Sequence, residues 1–378
     1  MDALTTPLPK DWEVKTFRDI STINQGLQIP ISQRLKAPTE HAKFYITIQA
    51  LNNRKEFEYI KTYNESVVCH KDDILMTRTG NTGMVITNIE GVFHNNFFKI
   101  NFDRTLINKD FLVYFLSLEQ TQKTILKKAG TSTIPDLNHN DFYSLSIPLP
   151  PLNEQIAIAN ILSGLDRYLY SLDALILKKE SVKKALSFEL LSQRKRLKGF
   201  NQAWQRVRLG DICEITTGSL DANEMVHYGK YRFYTCAKEY YFIDKYAFDT
   251  EAILISGNGA YVGYVHYYKG KFNAYQRTYV LDNFSEHIIF VKYFLTMFLQ
   301  SHIQTNRNEG NTPYIVMGTL KDFEIPLPPL NEQAAIANIL SALDHEIISL
   351  KNKKRQFENI KKALNHDLMS AKIRVLNK

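Results

Sequence analysis

A twenty-residue phrase occurs twice, with two differences, in this 378-residue chain. IPLPPLNEQIAIANILSGLD starts at Ile147 and IPLPPLNEQAAIANILSALD at Ile325, an offset of 178. Between 147–192 and 325–370 about 27 of 46 positions are identical, and the match resumes at Lys183-Lys184-Ala185-Leu186 and Lys361-Lys362-Ala363-Leu364. A weaker echo precedes each copy. Trp12 to Ile20 (WEVKTFRDI) answers Trp204 to Ile212 (WQRVRLGDI), and each is followed by a glycine, Gly26 or Gly218, now at an offset of 192. The segments in between differ in length and nearly everywhere in sequence. The order is therefore variable, constant, variable, constant. A period this long is a duplicated domain pair and not a solenoid of short repeats.

The constant segments carry a helical pattern. Apolar residues fall at Ile158, Leu162, Leu165, Leu169, Leu172 and Ile176, and again at Ile336, Leu340, Leu343, Ile347 and Leu350, continuing through Phe357, Ile360, Leu364 and Leu368. Steps alternating four and three define a coiled-coil seam. Either Pro151 sits in the first turn or Asn153 caps it. Each helix has room for about 40 residues, roughly 60 Å, and the first is expected to stop near Gly199. Neither can bury its seam alone, so the two are expected to pack antiparallel on each other.

The variable segments read as α+β. Short aromatic and β-branched runs alternate with Gly and Asn turns at Phe44 to Ile48, Asp73 to Thr77, Met84 to Thr87, Ala252 to Ser256, Tyr261 to Tyr268 and Thr278 to Leu281. One amphipathic helix follows in each, Asp110 to Lys128 and His287 to Asn306, before Gly130 and Gly310. The expected fold class is α+β with a pseudo-twofold internal repeat: two globular domains separated by two long helices forming an antiparallel coiled coil.

No catalytic signature is present. The sequence has no GxxxxGK[ST], no strand-to-helix GxGxxG, no HExxH and no GxSxG. Glu13-Val14-Lys15 has a nuclease-like spacing but no companion acid cluster. The Pro-Pro pairs, Pro150-Pro151 and Pro328-Pro329, lead into Leu-Asn-Glu and not into a base-flipping methylase tetrapeptide. The two Asn-Glu-Gln turns read as polar first-turn residues. Cys69, Cys213 and Cys236 are widely spaced and form no CxxC, so neither zinc nor a disulfide framework is expected. Lys plus Arg exceeds Asp plus Glu by 47 to 39, a net +8 that fits a nucleic-acid partner without requiring one. The start, MDALTTPLPKDW, is not expected to act as a signal peptide, and the longest apolar stretch, Ile288 to Leu299, is broken by Lys292 and is too short to span a bilayer. A cytoplasmic location without membrane contact is expected.

Two divergent segments, each followed by LPPLNEQ and a long heptad helix, resemble the specificity subunit of type I restriction–modification systems over essentially the whole chain. DDILMTRTGNTG and EAILISGNGAYVG resemble that family's strand-and-loop block. The resemblance implies a target recognition domain at 1–148, a spacer helix at 149–199, a second target recognition domain at 200–326 and a second spacer helix at 327–378. Each recognition domain reads one half of a split, asymmetric target in double-stranded DNA. The helices hold the gap and help bind two modification (methyltransferase) subunits, and restriction (endonuclease/translocase) subunits join that core. It further implies a non-catalytic chain that binds no cofactor itself; S-adenosylmethionine, ATP and magnesium belong to the partner subunits. The competing readings are a coiled-coil adaptor without sequence-specific DNA binding and a cryptic catalytic chain. The second is disfavoured by the missing motifs.

Base edges call for forked donors and acceptors, and phosphates for cations or backbone amides. In the first domain the candidates are Arg78, Thr79, Asn81 and Thr82 in a Gly-rich loop, His94, Asn95 and Asn96 in a second, and Thr131, Ser132 and Thr133 after the helix. In the second domain they are Asn258 and Tyr261, then Asn273, Tyr275, Gln276 and Arg277, then Asn311 and Thr312. Gly257 stands where the first domain has Arg78, as separate half-sites require. Gln276 and Arg277 suit adenine and guanine edges. Tyr240 and Tyr241 read as core or strand-face aromatics. The runs Arg194-Lys195-Arg196 with Lys198, and Lys351 with Lys353-Lys354-Arg355, read by default as solvated helix faces.

Overall fold

The computed structural model describes residues 8–52, 57–130, 132–305 and 313–376. The chain forms two compact units, one from residues 1–172 and 353–378, the other from residues 173–352. Both long helices, Leu152–Leu191 and Leu330–Met369, pass from one unit into the other. The limits expected from sequence follow element type. The compact units follow packing, and so they divide each helix near its middle.

The two echoes and the two repeats meet in space. In the first unit Glu13–Thr16 pairs antiparallel with Ser146–Leu149; in the second, Gln205–Arg208 pairs with Glu324–Leu327. Each pair is a two-stranded ribbon whose second strand runs straight into a long helix. Proline lacks the N–H a ladder needs, so Pro150-Pro151 ends the strand. The helix begins at Leu152, directly after Pro151, whose carbonyl accepts the amides of Glu154 and Gln155 at 2.9 and 3.1 Å.

The first helix ends at Leu191, short of Gly199. Gln193 takes the left-handed conformation at φ 62°, and the Lys195 amide closes on the Glu189 carbonyl at 3.1 Å. The second helix repeats this with Ala371 at φ 56° and Ile373 N–H to Asp367 carbonyl at 3.2 Å. Each end therefore closes on a left-handed residue other than glycine, so no glycine marks the stop.

In the first unit two four-stranded sheets stand beside a pair of helices. One runs Ser21–Gln25, Phe97–Phe102, Ile74–Thr77, Val85–Ile86; the other runs Tyr59–Ile60, Lys43–Ile46, Gly91–Phe93, Val68–Cys69, with its middle pair parallel. The single helix expected over Asp110 to Lys128 is two, Lys109–Leu116 and Glu119–Ala129. Leu118 is extended between them, and the Gln122 amide donates to the Leu116 carbonyl at 2.6 Å. That bond satisfies a terminal carbonyl the break exposes. The second unit has one six-stranded sheet, in the order Glu214–Thr217, Thr278–Asp282, Phe248–Ser256, Val265–Ala274, Tyr231–Tyr234, Tyr241–Ile243, and an unbroken helix Ile288–Thr305.

The start of each seam is globular core. Ile158 and Leu162 pack with Phe17, Phe111, Phe142 and the far helix end at Leu368; Ile336 and Leu340 pack with Phe290, Leu295 and Leu191. Farther along, Leu172 and Ile347 are buried, while Leu165, Leu169, Leu343 and Leu350 are half-buried. Within the first unit Asp166 meets Lys361 and Tyr168 stacks on Phe357 at 4.7 Å; within the second, Lys179 meets Glu346 and Lys183 meets Asp344. Numbers rise along one helix as they fall along the other, so the helices are antiparallel in each unit. Ile360, expected in the seam, is 49% exposed. Phe357, also expected there, faces the partner helix together with Lys361.

Candidate nucleic-acid interface

The first unit brings its candidate loops together. The Arg78 amide donates to the Asn96 carbonyl at 2.8 Å, and the Arg78 carbonyl accepts from Leu137 at 2.8 Å. Thr79 bridges to Asp136, and Thr82, itself buried, donates to the Pro135 carbonyl at 2.6 Å. The loop closes on Thr77, whose hydroxyl donates to the Asn81 carbonyl and accepts the Met84 amide. Asn81 caps the turn at φ 53°, exposed. The guanidinium of Arg78 pairs with Asp136 at 2.6 Å and lies 5.8 Å from the Phe98 ring centre. His94 accepts the Asn96 amide at Nδ1, and Asn95 reaches Gln28. Nε of Arg78 and Oδ1 of Asn95 are buried without a partner among the described residues. Ser132 is exposed and donates to the Ile134 carbonyl. Thr131 lies outside the described residues.

The second unit repeats the construction with other side chains. Gly257 donates to the Arg277 carbonyl at 2.8 Å and accepts from Ile315; Gly259 donates to Pro313, and Asn258 bridges to Tyr314. Gln276 donates from its backbone to Leu220. The side chains of Gln276, Arg277 and Tyr261 are exposed, and Tyr275 is half-buried. Asn273 differs. It is 3% exposed, and its amide spans the Lys245 carbonyl and the Ala274 N–H inside the sheet. Asn311 and Thr312 lie outside the described residues.

Gly26 and Gly218 explain the weaker echo. A Cβ at Gly26 would stand 2.2 Å from the Phe93 carbonyl oxygen, and one at Gly218 would stand 1.9 Å from that of Ala274. Each glycine lets the lead-in strand cross hard against the strand that carries the second candidate loop.

Burial holds His94 below the ordinary histidine range, helped by nearby Arg34, and burial does the same to His266. His94 is thus neutral at pH 7, an acceptor and not a phosphate cation. Burial pushes the Cys69 and Cys213 thiols up to about 12, so neither is a nucleophile at neutral pH. Among the described residues no group of three or more His, Cys, Asp or Glu could hold a metal, and no helix is long and apolar enough to cross a membrane.

In each Asn-Glu-Gln turn the asparagine, Asn153 or Asn331, is exposed, but the next two residues are not. Glu154, Gln155, Glu332 and Gln333 are all at most 2% exposed. Glu154 accepts from Trp12 at 3.1 Å and from Arg374; Glu332 accepts from Trp204 at 3.3 Å and from Arg196. Gln155 donates to the Leu106 and Pro150 carbonyls and accepts the Asn108 amide; Gln333 takes the same post against Pro328, Glu286 and His287. Arg196 is therefore no member of a solvated face. The missed signal was the recurrence of an arginine at the repeat offset, 196 and 374.

A groove of about 820 Å³ beside the helices of the first unit is lined by Tyr114, Leu169, Lys361 and Asn365. Its counterpart in the second unit, about 420 Å³, is lined by Tyr293, Ile347, Lys183 and Ser187. In each the tyrosine hydroxyl donates to an aspartate, Asp166 or Asp344, at 2.6 Å.

A duplicated α+β frame, two loop sets of one construction with different side chains, and paired helices set the class of protein. The family model described as the type I restriction modification DNA specificity domain matches residues 9–179 and again 201–359, and the chain belongs to that family. It is 25% identical to the MjaVIII specificity subunit of Methanocaldococcus jannaschii over 98% of this chain and 95% of that one. It is 40% identical to the EcoDI specificity subunit of Escherichia coli, over 40% of this chain and 34% of that subunit. A crystal structure of the S subunit from M. genitalium superposes with a TM-score of 0.64 at 19% identity, over 96% of this chain and 98% of that one, a likeness of fold.

Proposed function

We propose that this chain is the DNA sequence-specificity subunit of a type I restriction–modification complex. It recognises a bipartite, asymmetric target and lacks catalytic activity of its own. One observation carries the reading. The two units present the same three-loop construction on the same frame, yet Arg78 is replaced by Gly257 and His94-Asn95-Asn96 by Tyr275-Gln276-Arg277. A shared frame with unlike tips suits two readers of unlike half-sites.

In this reading 1–148 and 200–326 are target recognition domains, and 149–199 and 327–378 form an antiparallel coiled-coil spacer within a pseudo-twofold repeat. The helices help bind two modification subunits, and restriction subunits join that core. S-adenosylmethionine, ATP and magnesium reside on those partners. Supporting this is the buried Glu154 and Glu332 pairing, which fastens each long helix to the end of the other.

The test is co-expression with the cognate modification subunit in a host lacking adenine methylation, followed by mapping of methylated adenines. The expected result is one split motif with a fixed gap. A soluble complex that methylates no motif sinks the proposal and favours the adaptor reading.

A further inference from the structure

Arg232 stands apart from the other half-buried arginines. Arg34 is bound to Glu58, Arg78 to Asp136, Arg196 to Glu332 and Arg374 to Glu154 and Asp11. Arg232 has no carboxylate within 4 Å among the described residues. Two rings hold it instead. Its guanidinium carbon lies 4.2 Å from the Tyr240 ring centre and 4.5 Å from that of Tyr268. One N–H reaches the Tyr234 hydroxyl at 3.4 Å. Most of its five donors have no partner among the described residues.

The surroundings place this cation beside the candidate loops. Arg232 lies on Tyr231–Tyr234, next to the edge strand Tyr241–Ile243. A compact cluster of Tyr234, Leu254, Phe272 and Val280 lies beneath Tyr268. It is separate from the core that packs on helix Ile288–Thr305. The segment after Tyr234 is pinned across both loops. Cys236 donates to the Arg277 carbonyl at 3.3 Å, His266 meets the Ala237 carbonyl at 2.8 Å, and Lys238 lies 5.1 Å from the Tyr261 ring centre. Tyr240 and Tyr241, taken from sequence as core or strand-face aromatics, are 39% and 38% exposed. Tyr240 forms one wall of the clamp around Arg232.

A guanidinium fixed between rings has already lost its rotamer freedom, so little entropy remains to be lost on binding. Its planar fork matches the O6 and N7 acceptors of a guanine in the major groove. We propose that Arg232 reads a guanine in the half-site served by the second unit, with Tyr240 and Tyr268 as positioning residues. This rests on the specificity-subunit reading given above.

The experiment is sequence selection from a pool of random duplexes by the full chain with its modification partner, for wild type, Arg232→Ala and Arg232→Lys. Wild type is expected to select a split motif. Both variants should keep one half intact and lose a guanine preference at a single position of the other. The expected loss is about 5- to 150-fold, the equivalent of 1–3 kcal/mol. Arg232→Lys retains charge and stem, and unchanged preferences at the other positions of the same half show that the second unit is folded. An unchanged motif overturns the proposal. So does uniform weakening on all sequences with a salt slope reduced by about one, which marks a phosphate contact. A wild-type complex that selects no motif overturns the underlying reading as well, and is told apart by the wild-type arm alone.

Discussion

Arg374 closes on Glu154, 220 positions earlier, through two bonds, Nε to Oε1 at 2.7 Å and Nη2 to Oε2 at 2.9 Å. Arg196 holds Glu332 in the same forked way, at 3.1 and 2.5 Å. Both members of one pair sit at the repeat offset from both members of the other. The end of each constant segment therefore locks the beginning of the other.

Removing one partner should be worse than removing both. Arg374→Ala leaves a carboxylate buried beside the Trp12 indole, with a cost of about 3 kcal/mol. Replacing the pair with leucines of similar bulk should recover much of it, since no charge then remains desolvated. Thermal unfolding of Arg374→Ala, Arg196→Ala and the two double variants checks this. A double variant no more stable than its single variant would show that the uncompensated carboxylate is not the source of the loss.

The two leading arginine candidates should part company. Arg78 is spent locally, on Asp136 and against Phe98, so Arg78→Ala should lower stability by about 1 kcal/mol. Arg277 is exposed and enters no ion pair or ring contact among the described residues, so Arg277→Ala should leave stability unchanged to within about 0.5 kcal/mol. Its loss should appear in DNA preference alone. A melting-temperature drop for Arg277→Ala would argue for a structural role instead.

The duplicated frame was legible because a repeat needs no partner to be seen. The α+β order, the long helices and Gly26 and Gly218 followed from it. The chain did not announce that Glu154 and Gln155 are buried, because their partners, Arg374 and Leu106, are remote in sequence and first-turn polar residues are ordinarily solvated. Nor did it show that Leu118 breaks a helix, since amphipathic spacing ran through it. The loops were found as Gly- and Asn-rich segments. What sequence lacked was which side chains are already engaged, as Asn273 is, and which are held unpaired, as Arg232 is.

Gly26→Ala and Gly218→Ala should each cost about 3 kcal/mol, because the clash is with a backbone carbonyl that cannot step aside. Gly318→Ala is the control. Its Cβ meets nothing within 4 Å inside the short helix Met317–Lys321, so it should be neutral or slightly stabilising. Circular dichroism melts of the three variants decide it. A harmless Gly218→Ala would mean that the lead-in strand can slide.

Acid should weaken the fold before any carboxylate titrates. Burial depresses His94 and His266, so in the folded chain both remain neutral below the ordinary histidine value of about 6.5. The unfolded chain binds those protons first, so its proton count exceeds the folded one and stability rises with pH across that window. Stability is therefore full above about pH 7 and falls as pH drops through 6.5 toward the depressed values. Denaturant midpoints measured from pH 8 to 5.5 should decline for the wild type. The decline should be shallower in His266→Phe, which keeps the ring against Tyr234 and Tyr264 without a proton to bind. His94→Gln should flatten it from the first unit, since a glutamine amide can still accept the Asn96 N–H. A decline of the same slope in both variants would show that neither imidazole is the group being titrated.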